Sequence, residues 1–219
     1  CCGSVWMNGK EGKNVPVNAP AGKYDAREIE EKIFPYLIED KSGRYFSPSL
    51  WGKAFRRELI EKYLFTGENV TVGEDCACVK PCVFHSESLY ISEKCLYYYR
   101  VDNLSSTRAA RAFEWCGPKE IGKHFESTMD MGVRDMQEQV YRCVTHYLFN
   151  VAVSRFCEGK SYKKTAAEIR ENLKDTYYAE ALKKCRYKKF TKGSFALLAL
   201  KTKNVFLLKL FYGLRKKKK

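Results

Sequence analysis

Residues 72–85 read VGEDCACVKPCVFH, and two readings of them lead to different proteins. Cys76, Cys78, Cys82 and His85 form a C-x-C-x3-C-x2-H pattern that offers four zinc ligands. Structural zinc sites, however, draw paired ligands two to four residues apart from two separate segments. Here all four candidates fall within ten residues, and the chain has no second cluster. On a helix starting at Asp75, Cys78, Cys82 and His85 share one face and Cys76 does not, which is the pattern of a packed stripe. The other reading puts the chemistry in Glu74 and Asp75, which follow a glycine at the end of a polar loop. A carboxylate there meets the exposed N–H groups and the positive dipole end of a new helix. The same placement also describes an ordinary N-terminal helix acid, stabilising by roughly 0.3–1 kcal/mol.

Working outward, the segments on both sides have clear local signals. Upstream, CCGSVWM reads as a strand already under way, followed by the turn NGKEGKN. Asp25 and Glu28 have capping-box spacing, and Ile29, Ile33 and Leu37 recur at helical spacing, with Pro35 disturbing the last turn. The turn KSGRYFSPS leads through SLWGKAF to a second amphipathic helix, FRRELIEKYLF, and then to the loop TGENVTVGED. The helix that begins at Glu74 or Asp75 is not expected to run undisturbed past Pro81. SLYIS and CLYYYRV read as strands on either side of a Glu93-Lys94 turn, rich in residues that sheets accommodate. From about Arg108 the pattern turns helical: EWCGPKEIGKHFESTMDMG, MQEQVYRCVTHYLFNVAVSRFCEG and SYKKTAAEIRENLKDT. In the middle one, Val140, Val144, Tyr147 and Val151 make one buried stripe.

Length and composition bound the class. A chain of 219 residues, 45% hydrophobic and 14% aromatic, has enough apolar material for a folded body. Of its 40 Lys and Arg, 14 lie in residues 181–219, which contain no acid; the other 26 balance the 26 Asp and Glu of residues 1–180. The body is neutral and the tail carries the whole excess of +14, so an anionic partner meets the C-terminus. The ten cysteines are scattered, mostly in apolar runs, with no secretory signal ahead of them, and read as reduced, mostly buried thiols in a cytosolic setting. The start at Cys1, in the middle of a strand pattern, suggests a fragment whose N-terminal part is missing.

The segments SLWGKAFRRELIEKYLF, then GED, then LYYYRVDNLSST, in this order and spacing, resemble the second half of bacterial family-2 glycosyltransferases. Many of those enzymes carry W-N-K-L-Y-[KR]-R-E-L, G-E-D and Y-Y-Y-R with a Ser-rich end. The resemblance covers roughly residues 1–108 and implies an α/β chain, the C-terminal part of a GT-A fold, followed by a helical extension over 109–190 and an amphipathic basic tail over 191–219. Carried over residue by residue, it makes Asp75 the catalytic base, with Glu74 beside it binding or orienting the acceptor. It puts Trp51 and Lys53 on the acceptor side and Arg100 near the donor diphosphate. Gly52 stands where Asn is common, and Ala54-Phe55 replaces Leu-Tyr. Trp51 also fits a core aromatic, and Lys53 and Arg56 also fit solvated positions.

The implied reaction is an inverting transfer from a nucleotide-diphosphate sugar to a hydroxyl acceptor, a cell-envelope glycan or lipid-linked saccharide. One carboxylate takes the acceptor proton, and a divalent metal, Mg or Mn, stabilises the leaving diphosphate. The family holds that metal with a D-x-D motif, and no D-x-D occurs in these 219 residues. The donor-binding half is therefore expected upstream, and the chain alone is expected to be inactive.

The tail, GSFALLALKTKNVFLLKLFYGLRKKKK, has Ser194 as a plausible N-cap and a mostly apolar stretch over 195–214, long enough to span a bilayer. Lys201, Lys203 and Lys209 interrupt it, each at a cost of roughly 2.5–3.5 kcal/mol at the membrane centre. A helix lying on the inner face of the cell membrane, with Arg215 and Lys216–Lys219 on anionic headgroups, fits the pattern better than a span. A helix docked on the protein body is the plainer alternative. Nucleic-acid binding is a competing class, with Tyr187, Phe190, Phe206 and Tyr212 as stacking candidates. The competing reading of the whole chain is a non-catalytic membrane- or nucleic-acid-binding module without a donor site.

Overall fold

The computed structural model describes residues 1–65, 67, 70–100 and 112–216. The Ser-rich end of the aromatic block (101–107), the change of character near Arg108 and residues 217–219 of the basic terminus lie outside the described residues.

The fold is mixed α/β, with two small sheets on a helical body. Strands β1 (Gly3–Asn8) and β2 (Glu11–Val15) form an antiparallel hairpin, Asn8 opposite Glu11. Its two-residue loop needs positive φ, which Gly9 supplies at +59°. Strand β3 (Gly22–Asp25) pairs antiparallel with β4 (Ser88–Ile91), Tyr24 opposite Leu89. Strand β5 (Cys95–Arg100) pairs in parallel with β1, Trp6 opposite Tyr99. The two strands flanking the Glu93-Lys94 turn thus belong to different sheets.

Helix α1 (Ala26–Lys32) starts where the capping box places it. Asp25 Oδ1 accepts from Glu28 N at 2.8 Å, and Glu28 Oε2 accepts from Asp25 N at 3.2 Å. Pro35 falls in a 3-10 turn (Phe34–Tyr36) that ends this helical stretch. Helix α2 (Arg57–Tyr63) lies over a small cluster of Tyr63, Cys78 and Cys82.

Helix α3 (Glu74–Phe84) corrects one expectation, because it continues through Pro81 for three more residues. A proline removes one N–H and frees the carbonyl four residues earlier. Every residue from Cys76 to Val83 is buried, so packing holds the helix where propensity would end it. The start of α3 is fixed by Gly73, at φ +93°; a Cβ there would stand 2.7 Å from the Tyr147 ring and 2.8 Å from Ile121 Cδ1.

The helical body comprises α4 (Gly117–Thr128), α5 (Met136–Ser154), α6 (Tyr162–Asn172) and α7 (Thr176–Lys184). Helix α5 is its axis: of the expected stripe Val140, Val144 and Val151 are buried, Tyr147 is only partly buried, and Leu148 is buried beside them. Ser161 and Asp175 cap α6 and α7 by accepting from the N–H groups of their first turns.

The tail differs from one continuous helix over 195–214. Thr191, not Ser194, is the N-cap of α8 (Lys192–Lys201), and α9 (Val205–Lys216) is separate. Between them Lys203 sits at φ +50°. Its N–H donates to Leu200 O at 3.0 Å, and Asn204 N–H donates to Ala199 O at 2.9 Å, a Schellman stop. Leu197, Leu200, Val205 and Leu208 are buried in a core that runs from Tyr24 to Leu208 and includes residues of all three sequence regions. Among the described residues no helix is long and apolar enough to cross a membrane.

Candidate functional site

The site is built on the segment 37–56, which has little regular structure and is held at several points. Phe46 N–H donates to Tyr36 O at 2.8 Å. The Gln139 side chain, buried in α5, pins the start of the segment. Its Oε1 accepts from Ile38 N at 2.9 Å and from Glu39 N at 3.3 Å, while Nε2 donates to Phe34 O at 2.7 Å. Asp40 Oδ1 closes a turn by accepting from Ser42 N and Arg44 N.

Three of the sequence-predicted residues converge here. Asp75 Oδ2 accepts from Leu50 N at 3.2 Å, which ties the α3 N-terminus to the segment carrying Trp51. Lys53 Nζ folds back to donate to Ser49 O at 2.6 Å and Ser47 Oγ at 3.2 Å. The Trp51 ring stacks on Tyr97 (centroids 4.7 Å, 16°) and Tyr99 (5.4 Å, 22°) of β5, and Trp6 lies 5.9 Å from Tyr99. Trp51 is therefore neither a core aromatic nor isolated; it belongs to a half-exposed aromatic group. Gly52 has φ +72°, and a Cβ there would lie 3.2 Å from Cys2 O. Gly and Asn are the residues that most readily adopt that backbone, which accounts physically for Gly where the resembled enzymes commonly carry Asn.

The other two predicted residues stand apart. Glu74 is exposed at the first turn of α3. Arg100 ends β5, opposite Met7 and exposed, with no contact to Asp75 or Lys53 among the described residues. A cleft of about 440 Å³ opens beside Trp6 and Trp51, with Asn18, Arg44, Ser47 and Ser49 on its polar side. Neither acid lines it.

Electrostatically, the site is cationic underneath. Burial, aided by neighbouring Lys80, lowers the Lys53 ammonium to about 8, while Asp75 pulls the other way. Lys80 is fully buried and donates to Phe46 O; burial lowers its pKa as well. Lys80 also lines a cavity of about 80 Å³ behind the site with Glu39, Cys76, Cys143, His146 and Tyr147. There a hydrogen bond from Cys143 holds the Cys76 thiol down to about 7 against its burial. His146 is lowered by burial, but its contact with Glu39 outweighs this and its pKa is raised. Sequence reasoning missed Lys80, Gln139 and Arg142. The available signal was their position on the apolar faces of α3 and α5, where a polar residue must find buried partners.

The alternative cysteine reading is not assembled. Cys76, Cys78 and Cys82 are buried in two different clusters. His85 stacks on Tyr63 at 4.3 Å and donates from Nε2 to Thr128 O at 2.6 Å. Among the described residues no three His, Cys, Asp or Glu side chains come together to hold a metal. The acid pair does not fit a divalent ion either: Glu74 points to solvent, and one Asp75 oxygen is already committed to Leu50 N. All ten cysteines are free thiols. No family model, curated protein or solved structure matches this chain.

Proposed function

We propose that the chain is the acceptor-side part of an inverting glycosyltransferase with a GT-A-like α/β fold. It works in the cytoplasm at the inner face of the cell membrane on a cell-envelope or lipid-linked saccharide. The observation that carries the reading is the meeting of three separate segments, 50–53, the start of α3 at Asp75, and 97–99, at one place beside an aromatic-walled cleft. Asp75 is the base of this reading. Its Oδ2 is held by Leu50 N–H, and among the described residues Oδ1 has no hydrogen-bond donor, so one edge is fixed and the other is the one to take the acceptor proton. Lys53, half-buried and tied to Ser47 and Ser49, holds positive charge close to that carboxylate. Trp51 and Trp6 offer flat apolar faces against which the C–H face of a sugar ring packs, and Ser47, Ser49 and Asn18 offer hydroxyl partners. The donor, and any Mg or Mn that it needs, would be held by residues outside this chain, and no step assigned here runs through a metal.

The test uses the chain joined to the upstream region that this reading requires. Asp75→Asn, which keeps the acceptor from Leu50 N–H, is expected to lower transfer by about 10²–10⁴-fold with donor affinity unchanged. Turnover equal to the unaltered protein would refute the base assignment and favour a non-catalytic binding module.

A further inference from the structure

Helix α9 is anchored by one face and leaves the other uncovered. Val205 and Leu208 are buried, Phe211 meets Phe149 edge-on at 5.2 Å, Tyr212 lies 5.9 Å from Phe156, and Arg215 Nη2 donates to Asn150 Oδ1 at 2.8 Å. These contacts fix the rotation of the helix. The opposite stripe then points outward: Phe206 is 67% exposed, and Leu210 and Leu214 are each 51% exposed, at i, i+4 and i+8. Tyr162, at the start of α6, completes a groove of about 470 Å³ with these three, and Lys209 Nζ stands 5.1 Å from its ring.

We propose that this face, Tyr162, Phe206, Leu210 and Leu214 around Lys209, docks on the surface of an anionic lipid bilayer. The proposal gives a location to the peripheral-membrane part of the reading above and is independent of its transfer chemistry. Charge selects the occupant. Residues 181–219 carry 14 Lys and Arg and no acid, and Lys163 and Lys164 are exposed beside Tyr162. A two-fold contact with a second copy would bring these cations against each other. Nucleic acid satisfies the cations but leaves the aliphatic Leu210 and Leu214 in contact with phosphate and water. A bilayer surface satisfies both, because headgroups meet the cations while the stripe enters the headgroup–acyl boundary. The break at Lys203 suits a surface helix too: α9 has 12 residues, far short of the ~20 that a span requires.

The experiment is vesicle flotation of the 219-residue chain, with phosphatidylcholine alone and with phosphatidylcholine and phosphatidylglycerol at roughly three to one. Binding to the anionic vesicles is expected at least about 10-fold above the neutral ones, and is expected to weaken as salt rises. Phe206→Ser with Leu210→Ser is expected to reduce it by a further 10-fold or so, with circular dichroism and melting midpoint unchanged, because both side chains are exposed. Leu210→Trp is expected to shift its emission to the blue on anionic vesicles only. Undiminished binding by the double variant would assign the effect to tail charge alone and overturn the proposal. So would tighter binding to a short duplex than to vesicles, or a dimer that the double substitution dissolves. No sugar enters the assay, so failure of the transferase reading leaves its outcome untouched.

Discussion

Replacing Gln139 by Met tests whether one amide holds the segment under the candidate site. The side chain is fully buried, and its Oε1 is the acceptor for Ile38 N–H at 2.9 Å and Glu39 N–H at 3.3 Å. Met has similar volume and no acceptor, so Gln139→Met leaves both N–H groups unpaired in the interior. Each orphaned buried donor costs about 1–3 kcal/mol. Phe34 O loses the Nε2 donor but keeps Leu37 N–H at 3.2 Å, so it adds little. The expected loss is about 4 kcal/mol, or a fall in melting midpoint of roughly 8–16 °C for a domain of this size. The assay is urea and thermal unfolding followed by circular dichroism, with Gln137→Met as control. Among the described residues the Gln137 side chain bonds only to Glu126, at 3.1 Å, and its substitution is expected to change stability by less than about 0.5 kcal/mol. A loss below about 1 kcal/mol for Gln139→Met would show that the segment reaches other partners and would refute its role as the pin.

Lys203→Gly should stabilise the fold by about 1 kcal/mol in denaturant titration, since Gly adopts the left-handed stop without the Cβ clash. Gly73→Ala should destabilise it by about 2 kcal/mol or more, because the new methyl meets the Tyr147 ring and Ile121 at a positive φ; a neutral result would mean that α3 is free to shift. His146 gains Glu39 as a partner and its folded pKa is raised, so its contribution is fully present below about pH 6.5. That contribution is lost as pH rises through the raised value, and His146→Gln should flatten this part of the stability–pH profile; an unchanged slope would exclude the pair as its source. The purified 219-residue chain should transfer no sugar from any nucleotide donor, and measurable transfer would overturn the assignment of the donor site to residues outside it.

What was legible in the sequence was mostly local. Asp25 and Glu28 announced a helix start because a capping box is a contact three residues long. The Val140–Val151 stripe announced the buried face of α5 because helical period and burial coincide. The partners of β4 and β5 were not legible, since pairing with β3 and β1 depends on distant chain rather than on the turn between them. Pro81 misled because burial of a whole helix outweighs the loss of one hydrogen bond. Lys203 gave no warning of a helix stop, because the usual signal there is Gly or Asn. Of the candidate site, the neighbourhood of Trp51, Lys53 and Asp75 was implied by the family resemblance. The cation and thiol layer beneath was not, because Lys80 on a helix reads as solvated until its burial is known.

The parallel contact between β1 and β5 has a kinetic consequence. Strand β1 can pair with β2 through a two-residue turn, but its pairing with β5 joins opposite ends of the first hundred residues, so a long loop must close before β5 gains its strand partner. Helix α5 and its neighbours gather through much nearer contacts. The helical body is thus positioned to form early and the three-stranded sheet to be laid on it late. Both strands also remain partly exposed, so the sheet is positioned to open first under native conditions. In amide hydrogen exchange, the N–H groups of Trp6 and Tyr99 should then be released by a sub-global opening, while those of Val144 and Leu148 wait for the whole molecule to unfold.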